Sequence, residues 1–480
     1  MNNEKWYKLE DVEKISVQEK VKLTENYLNP GMVKLFKILG FEKPWGILAE
    51  GVYITLKEGR KILDMTGGNG VLGLGHNHPR ILAARAKIAN KKRLEICKGF
   101  LSPYVAALAS NIANILPGDL QYSFFCGGGA AAIEGALKLA QKHHGCNRMG
   151  LAYTDHCFHG KSYAAMSVSS QEENRKHFQL LDKCYKVSYG DAKALERLFK
   201  NHSLDGGKKT DICAFIVEPI HGSKLTFPPR GYLKEVRHLC NEYDVLLIVD
   251  EIFTGFGKTG FWFAFQNEEI IPDIVCYSKT FGGGKATIAG YTARKPIFLK
   301  AYGKPEDSMI HSCTFSGMTE ECATAIEVLN IICDEKLIKK ANELGNYFGQ
   351  KIKMLAKKYP KRISSIRGRG LLWGVEVRPI ANQIEPVIKK LFPDKSSNLS
   401  ALTGAIIMTE LFHSYDILTY LGFNQRNLVI FSPPLLIKKN EIDFTIEALD
   451  KILATNWVVL SHSFGARFIS KIGKQLFKKK

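Results

Sequence analysis

Residues 8–41 repeat apolar positions at helical spacing, in LEDVEKISVQEKVKL and again after the Asn29-Pro30-Gly31 break, and so predict two helical segments. The next stretch, WGILAEGVYITLKEGRKILDMTGG, changes period. Apolar and polar residues alternate there, with Glu58-Gly59 marking a hairpin turn between strands. From residue 76 to 335 helical patterns alternate with short, continuous apolar runs: YSFFC, MGLAYT, ICAFIVEP, VLLIVDE and IVCYS. Such runs suit strands buried on both faces, and strands separated by helices form parallel sheet. The expected fold is α/β, a mostly parallel sheet sandwiched by helices. Residues 336–456 carry further helices and two strands, GLLWGVEV and NLVIFSP, as a smaller α+β domain would.

The chain therefore divides on pattern into an N-terminal segment of the small domain (1–75), a large domain (76–335), the C-terminal part of the small domain (336–456) and a tail (457–480). In the tail Phe464, Phe468, Ile472 and Leu476 recur four apart, among Arg467, Lys471, Lys474 and Lys478–Lys480. That is the pattern of a basic amphipathic helix, suited to an anionic membrane surface or an acidic carrier protein. Packing on its own protein is the plainer alternative.

Composition narrows the classes. The 480 residues suffice for two domains, and 45% apolar with 24% charged is ordinary for a globular protein. A net charge of +20 could attract nucleic acid, anionic membrane or an acidic protein, or could simply reflect a lysine-rich background. No nucleic-acid recognition motif accompanies the lysines, so nucleic acid is not an expected partner. Eleven cysteines without a CxxC pair argue against a disulfide framework or a metal site and fit a reducing cytoplasm. MNNEKWYKLEDVEK shows no apolar signal core, and no apolar run approaches the roughly 18 residues that span a membrane. A cytoplasmic protein is expected.

Two stretches carry the chemistry. VLLIVDEIFTGFGKTG (245–260) sets Asp250 and Glu251 at the end of an apolar run, and IVCYSKTFGGGK (274–285) sets Lys279 between a strand and a glycine turn. Pyridoxal phosphate (PLP) chemistry needs a lysine that forms a Schiff base and a carboxylate opposite the pyridine nitrogen. Lys279 and Asp250 are the candidates. Glu251 is open between a site role and a salt bridge; His159 could donate a hydrogen bond, though a lone histidine beside an aromatic is more often a packed core residue.

The surrounding motifs resemble those of the class III (omega-type, subgroup II) aminotransferases, which share the PLP-dependent type I fold. They run in order: LDMTGGNGVLGLGHNHP, FFCGGGAAAIEGALKLA, FHGKSYAAMSV, FIVEPIHG, DEIFTGFGKTG, SKTFGGG, HSCTFSG and IRGRGLLWGVEV. The resemblance implies a transaminase that moves an amino group between a primary amine or amino acid and an aldehyde or oxo acid, in ping-pong half-reactions. It implies that Gly128, Gly129 and Ala130 cradle the cofactor phosphate, at a turn expected to precede the helix AAIEGALKLAQ. Phe158 and Ile252 match the residues that flank the ring, and Glu218 matches a further carboxylate. Thr314 matches a threonine that reaches the phosphate across a homodimer interface. An aminomutase-like enzyme of the same fold, or a weakly catalytic homologue with a binding role, stays open as an alternative.

Several positions depart from the family. The phosphate loop, usually Asn-Ser-Gly-Thr/Ala-Glu-Ala, reads Gly127 to Ala132 as GGGAAA. Each lost hydroxyl bond to a charged phosphate removes about 1.5–3 kcal/mol. Phe253 stands for a glutamine and Ser223 for an acidic residue. Ile430 stands for an arginine that clamps the substrate α-carboxylate. Lys224, Arg230 or Lys161 could replace that cation, or the substrate lacks the carboxylate.

Overall fold

The computed structural model describes residues 6–96, 99–379, 399–423 and 425–465. The N-terminal helices Val17–Tyr27 and Pro30–Leu39 start where the Ser16 and Asn29 side chains accept backbone N–H groups of the first turn. Strands β1 (Gly46–Glu50), β2 (Tyr53–Leu56) and β3 (Lys61–Asp64) then form an antiparallel meander, turning at Gly59.

The large sheet contains β4 (Leu120–Cys126), β5 (Gly150–Thr154), β6 (Cys184–Val187), β7 (Ile212–Val217), β8 (Leu246–Asp250), β9 (Ile274–Tyr277) and β10 (Ala289–Arg294). Their order is β4-β10-β9-β8-β7-β5-β6. The five apolar runs became β4, β5, β7, β8 and β9. β6 and β10 were not anticipated: β6 is only four residues with a lysine inside it, and AGYTAR lacks a continuous apolar run. β10 runs antiparallel to both β4 and β9, while the remaining pairings are parallel.

Alternate residues of the central strands enter two separate cores. Phe215, Val217, Leu247, Val249 and Val275 face one, with helix Tyr232–Glu242. Ala214, Ile216, Leu246, Ile248 and Ile274 face the other, with helix Gly129–His144. Burial of both faces explains why these strands read as unbroken apolar runs.

A third, antiparallel sheet, β11 (Ile363–Arg369), β12 (Leu372–Val377), β14 (Tyr420–Gly422) and β15 (Gln425–Phe431), has the order β11-β12-β15-β14. The short β13 (Ile417–Leu418) instead joins β3 in parallel, which ties the two ends of the chain together. Residues 457–465 are helical, with Leu460 buried and Trp457 and Phe464 packed on the main core. The start of the tail thus packs on its own protein. Phe468, Ile472, Leu476 and the tail lysines and arginine lie outside the described residues. No helix among the described residues is long and apolar enough to cross a membrane.

Candidate active site

Parallel strands end on the same side of their sheet, so their C-terminal ends gather side chains into one crevice. Here β7 is followed by Glu218, β8 ends on Asp250, and β9 is followed by Ser278 and Lys279. Asp250 is buried. Its Oδ1 accepts the Ile252 N–H at 2.9 Å, and its Oδ2 accepts from His159 Nδ1 at 2.7 Å. His159 is indeed buried, but it is a partner of the carboxylate rather than mere packing, and its Nε2 has no hydrogen-bond partner among the described residues. Burial works against its charge, yet Cys157 and the Asp250 carboxylate outweigh that and hold its pKa well above the usual histidine value.

Glu218 accepts the Phe158 N–H on Oε2 and the Gly222 N–H on Oε1, both at 3.1 Å. Burial, opposed by His159 and reinforced by Asp250, pushes it up to about 7. Glu251 is committed elsewhere. It accepts the Phe265 N–H at 2.8 Å and the Thr254 hydroxyl, which makes it a structural residue.

Lys279 adopts a left-handed backbone conformation, φ 52°, which costs a non-glycine residue about 1–3 kcal/mol. The neighbouring contact holds it there: Thr280 Oγ1 donates to the Gly70 carbonyl at 2.9 Å. Glycine at 73 makes that approach possible, since a Cβ there would come 2.3 Å from Thr280 Cγ2. Burial pulls the Lys279 pKa down to about 8, while Asp250 and Glu218 pull the other way.

The helix Gly129–His144 begins at Gly129, two residues before the expected start, with Gly128 as a cap that offers no side-chain bond. Open space surrounds Gly127 and Gly128, and the free N–H groups of the first turn form a positive helix end suited to an anion. The turn at Gly160 packs on Ala130, bringing the Phe158–His159 segment beside this end, and Ile252 Cδ1 would lie 3.0 Å from a Cβ on Gly129. An anion cradle, an amine, a fixed carboxylate and two apolar side chains match the parts of pyridoxal phosphate. Lys161 and Thr314 are exposed, and neither hydrogen-bonds to this cluster among the described residues.

Three supports escaped the sequence reading. Glu134 accepts the Ser162 hydroxyl at 2.6 Å and the Ala164 N–H at 3.0 Å, anchoring the segment after Phe158. Asp64 Oδ1 accepts the Thr66 and Gly67 N–H groups, ordering the glycine loop that meets Thr280. The fully buried Lys258 donates to the Ser432 and Pro433 carbonyls, and burial lowers its pKa to about 7. A lone charge inside small-residue or apolar runs was the available signal for Glu134 and Lys258.

Over residues 47–453 the chain matches the family model described as aminotransferase class-III. The chain belongs to the class III aminotransferases. It is similar in structure to the ornithine aminotransferase of Toxoplasma gondii ME49, at 25% identity and TM-score 0.78, covering 94% of this chain and 98% of that one. A second Toxoplasma structure of that enzyme, at 24% identity and TM-score 0.76 over 96% of this chain and 100% of the other, is described with PLP at partial occupancy in its active site. The fold is shared with a thermostable (S)-enantioselective omega-transaminase of Thermomicrobium roseum, at 22% identity, TM-score 0.78 and coverage of 94% and 100%. This class III aminotransferase therefore uses pyridoxal phosphate to transfer amino groups between amine and oxo substrates, on the PLP-dependent type I fold.

Proposed function

We propose that Lys279 and Asp250 are the catalytic pair of this aminotransferase. Gly128, Gly129, Ala130, Phe158, Glu218 and Ile252 would complete the cofactor site. The observation that carries the reading is the convergence of Glu218, Asp250 and Lys279 at the ends of three adjacent strands. When bound, pyridoxal phosphate supplies an aldehyde that takes up the amino group and a ring that withdraws electrons. Lys279, poised near neutrality, takes a proton from the amine-bearing carbon of the donor and returns it in the reverse half-reaction. Asp250, held by the Ile252 N–H and His159, presents a fixed negative charge to the ring nitrogen. Phe158 and Ile252 exclude water from the two faces.

The active unit in this proposal is a homodimer in which Thr314 completes the phosphate site of the other copy. Thr314 lies beside exposed Phe315, Met309 and Ile310, and Phe100 and Leu101 are 79% and 100% exposed. Apolar surface of that extent calls for cover. A depression of about 630 Å³ lined by Leu94, Phe100, Leu101 and Tyr104 opens there and shares no lining residue with the Lys279 cluster. The domain division at 75, 335 and 456 is supported by the large sheet lying within 120–294. A cytoplasmic location is supported by the cysteines of the described residues being free thiols.

The test is an absorption spectrum of the protein with pyridoxal phosphate, before and after a panel of amines, ornithine and amino acids. A visible band that bleaches with release of an oxo product is expected. A protein that binds the cofactor and answers no amine would refute the reading. Cofactor affinity offers a separate check. Gly128 is extended with open space around it, so Gly128→Ser adds a hydroxyl without strain and should tighten binding about tenfold or more. An unchanged dissociation constant in equilibrium dialysis would show that the missing hydroxyl is not what limits affinity.

A further inference from the structure

Two helices of the small domain end together at a strongly basic corner. Helices Leu337–Lys358 and Lys439–Ala454 run side by side, with Lys351 3.4 Å from Asp443 and Lys358 2.8 Å from Asp450. From residue 350 onward the exposed positions of the first helix are Gln350, Lys353, Met354, Lys357 and Lys358, none of them acidic, and Lys361 is exposed just beyond. Lys353, Lys357 and Lys361 make no ion pair among the described residues. Lysines in a last turn offset the negative end of a helix, which accounts for Lys357 and Lys358 but not for Lys353 or Lys361. Met354 is 66% exposed in their midst.

The last described segment leaves from the same corner. Arg362 lies over the Trp457 ring at 4.6 Å, the Tyr359 hydroxyl donates to the Asp450 carbonyl at 3.2 Å, and Leu460 is buried. These contacts set the start of helix 457–465 beside residues 357–362, with Val458 and Val459 each 58% exposed. The sequence that follows, ARFISKIGKQLFKKK, adds Arg467, Lys471, Lys474 and Lys478–Lys480 and no acidic residue. At helical spacing its Phe468, Ile469, Ile472 and Leu476 share one face, and Arg467, Lys471, Lys474 and Lys478 the opposite one. A partner for this corner must supply many negative charges and also take up large apolar side chains. An acidic protein meets the first demand; a bilayer of anionic lipid meets both.

We propose that this corner of the small domain, with the tail that leaves it, docks the enzyme on an anionic membrane surface. The apolar residues of the tail enter the headgroup region, and Lys353, Lys357 and Lys361 extend the positive field across the folded body. The docking is peripheral, since no helix among the described residues is long and apolar enough to span a bilayer. It does not depend on which lysine reacts, so its failure and that of the catalytic assignment are separate.

The test is co-sedimentation of the full-length, cofactor-loaded protein with vesicles of phosphatidylcholine, alone or with about one-third phosphatidylserine. At about 0.1 M salt, partitioning onto the mixed vesicles should exceed that onto phosphatidylcholine by about a hundredfold, and at about 0.5 M salt it should fall by roughly tenfold. Equal partitioning onto both vesicles, or none onto either, overturns the proposal, and the parent protein alone decides this. Lys353→Gln, Lys357→Gln and Lys361→Gln combined should weaken binding by about tenfold. Phe468→Ser with Ile472→Ser, which keeps every charge, should weaken it by about tenfold as well. An unchanged melting temperature checks that both variants are folded. Undiminished binding in the lysine variant overturns the part given to the folded corner. Undiminished binding in the Phe468→Ser, Ile472→Ser variant, with equal capture by polyglutamate, overturns the membrane and assigns the tail to an acidic protein instead.

Discussion

Lys279→Ala should lower amino transfer by at least about 10²–10⁴-fold, the share that a positioned proton-transfer group contributes, while leaving the protein folded. Retained turnover in this variant would remove Lys279 from the mechanism. The side chain is held against its own preference. Burial lowers its pKa from 10.5 to about 8, so the unfolded chain binds the proton more tightly than the native one does. A base with a depressed native pKa destabilises the fold fully below that value. The penalty fades as pH rises from about 8 toward 10.5. The backbone strain at φ 52° persists with alanine, so it does not enter the difference. Without cofactor, Lys279→Ala should therefore melt at a higher temperature than the parent at pH 7, with the gap closing in alkaline solution. A lower melting temperature at pH 7 would mean that the amine is stabilised where it sits.

Asp250→Asn is the second large effect, because the carboxylate serves two partners. An asparagine oxygen can still accept the Ile252 N–H, but the negative charge facing the cofactor and His159 is lost. Amino transfer should fall by about 10²–10⁴-fold, with binding of the cofactor weakened less. His159 supplies a readout independent of turnover. Its raised pKa depends on Asp250 and Cys157 outweighing burial, so the substitution should bring its titration down toward or below the ordinary histidine range. Its protonation adds stability that is complete below the unfolded pKa and is lost as pH rises through the raised native value. That pH-dependent share of stability should shrink in Asp250→Asn. An imidazole that titrates unchanged by NMR in the cofactor-free variant would show that the 2.7 Å contact is not what charges it.

Much of this was legible in the chain because it is local. Continuous apolar runs mark strands buried on both faces, and five of the seven strands in the large sheet were readable for that reason. The Asp250 and Lys279 motifs were readable because each follows such a run at a fixed spacing. β10 was not, since an antiparallel strand with glycine and arginine in it takes its stability from two neighbours rather than from its own pattern. His159 was readable as a donor or as packing, but its partner was not, because nothing within FHG indicates a carboxylate 91 residues later.

The departures from the family show the same division. The resemblance to the family implies that Phe253 and Ile430 stand in place of polar residues. The structure adds that Phe253 packs on the apolar cluster in which Ile430 is buried, with Gly70 and Gly222 beside its ring. Sequence by itself determined the fold class and the family and marked the candidate residues, because propensity, periodicity and motif spacing are properties of short segments. Only the tertiary structure decided which charges are buried together, which ring lies beside the Lys279 amine and which apolar side chains are buried. Burial, and the pKa shifts that follow from it, depend on contacts between segments that the chain brings together only when it folds.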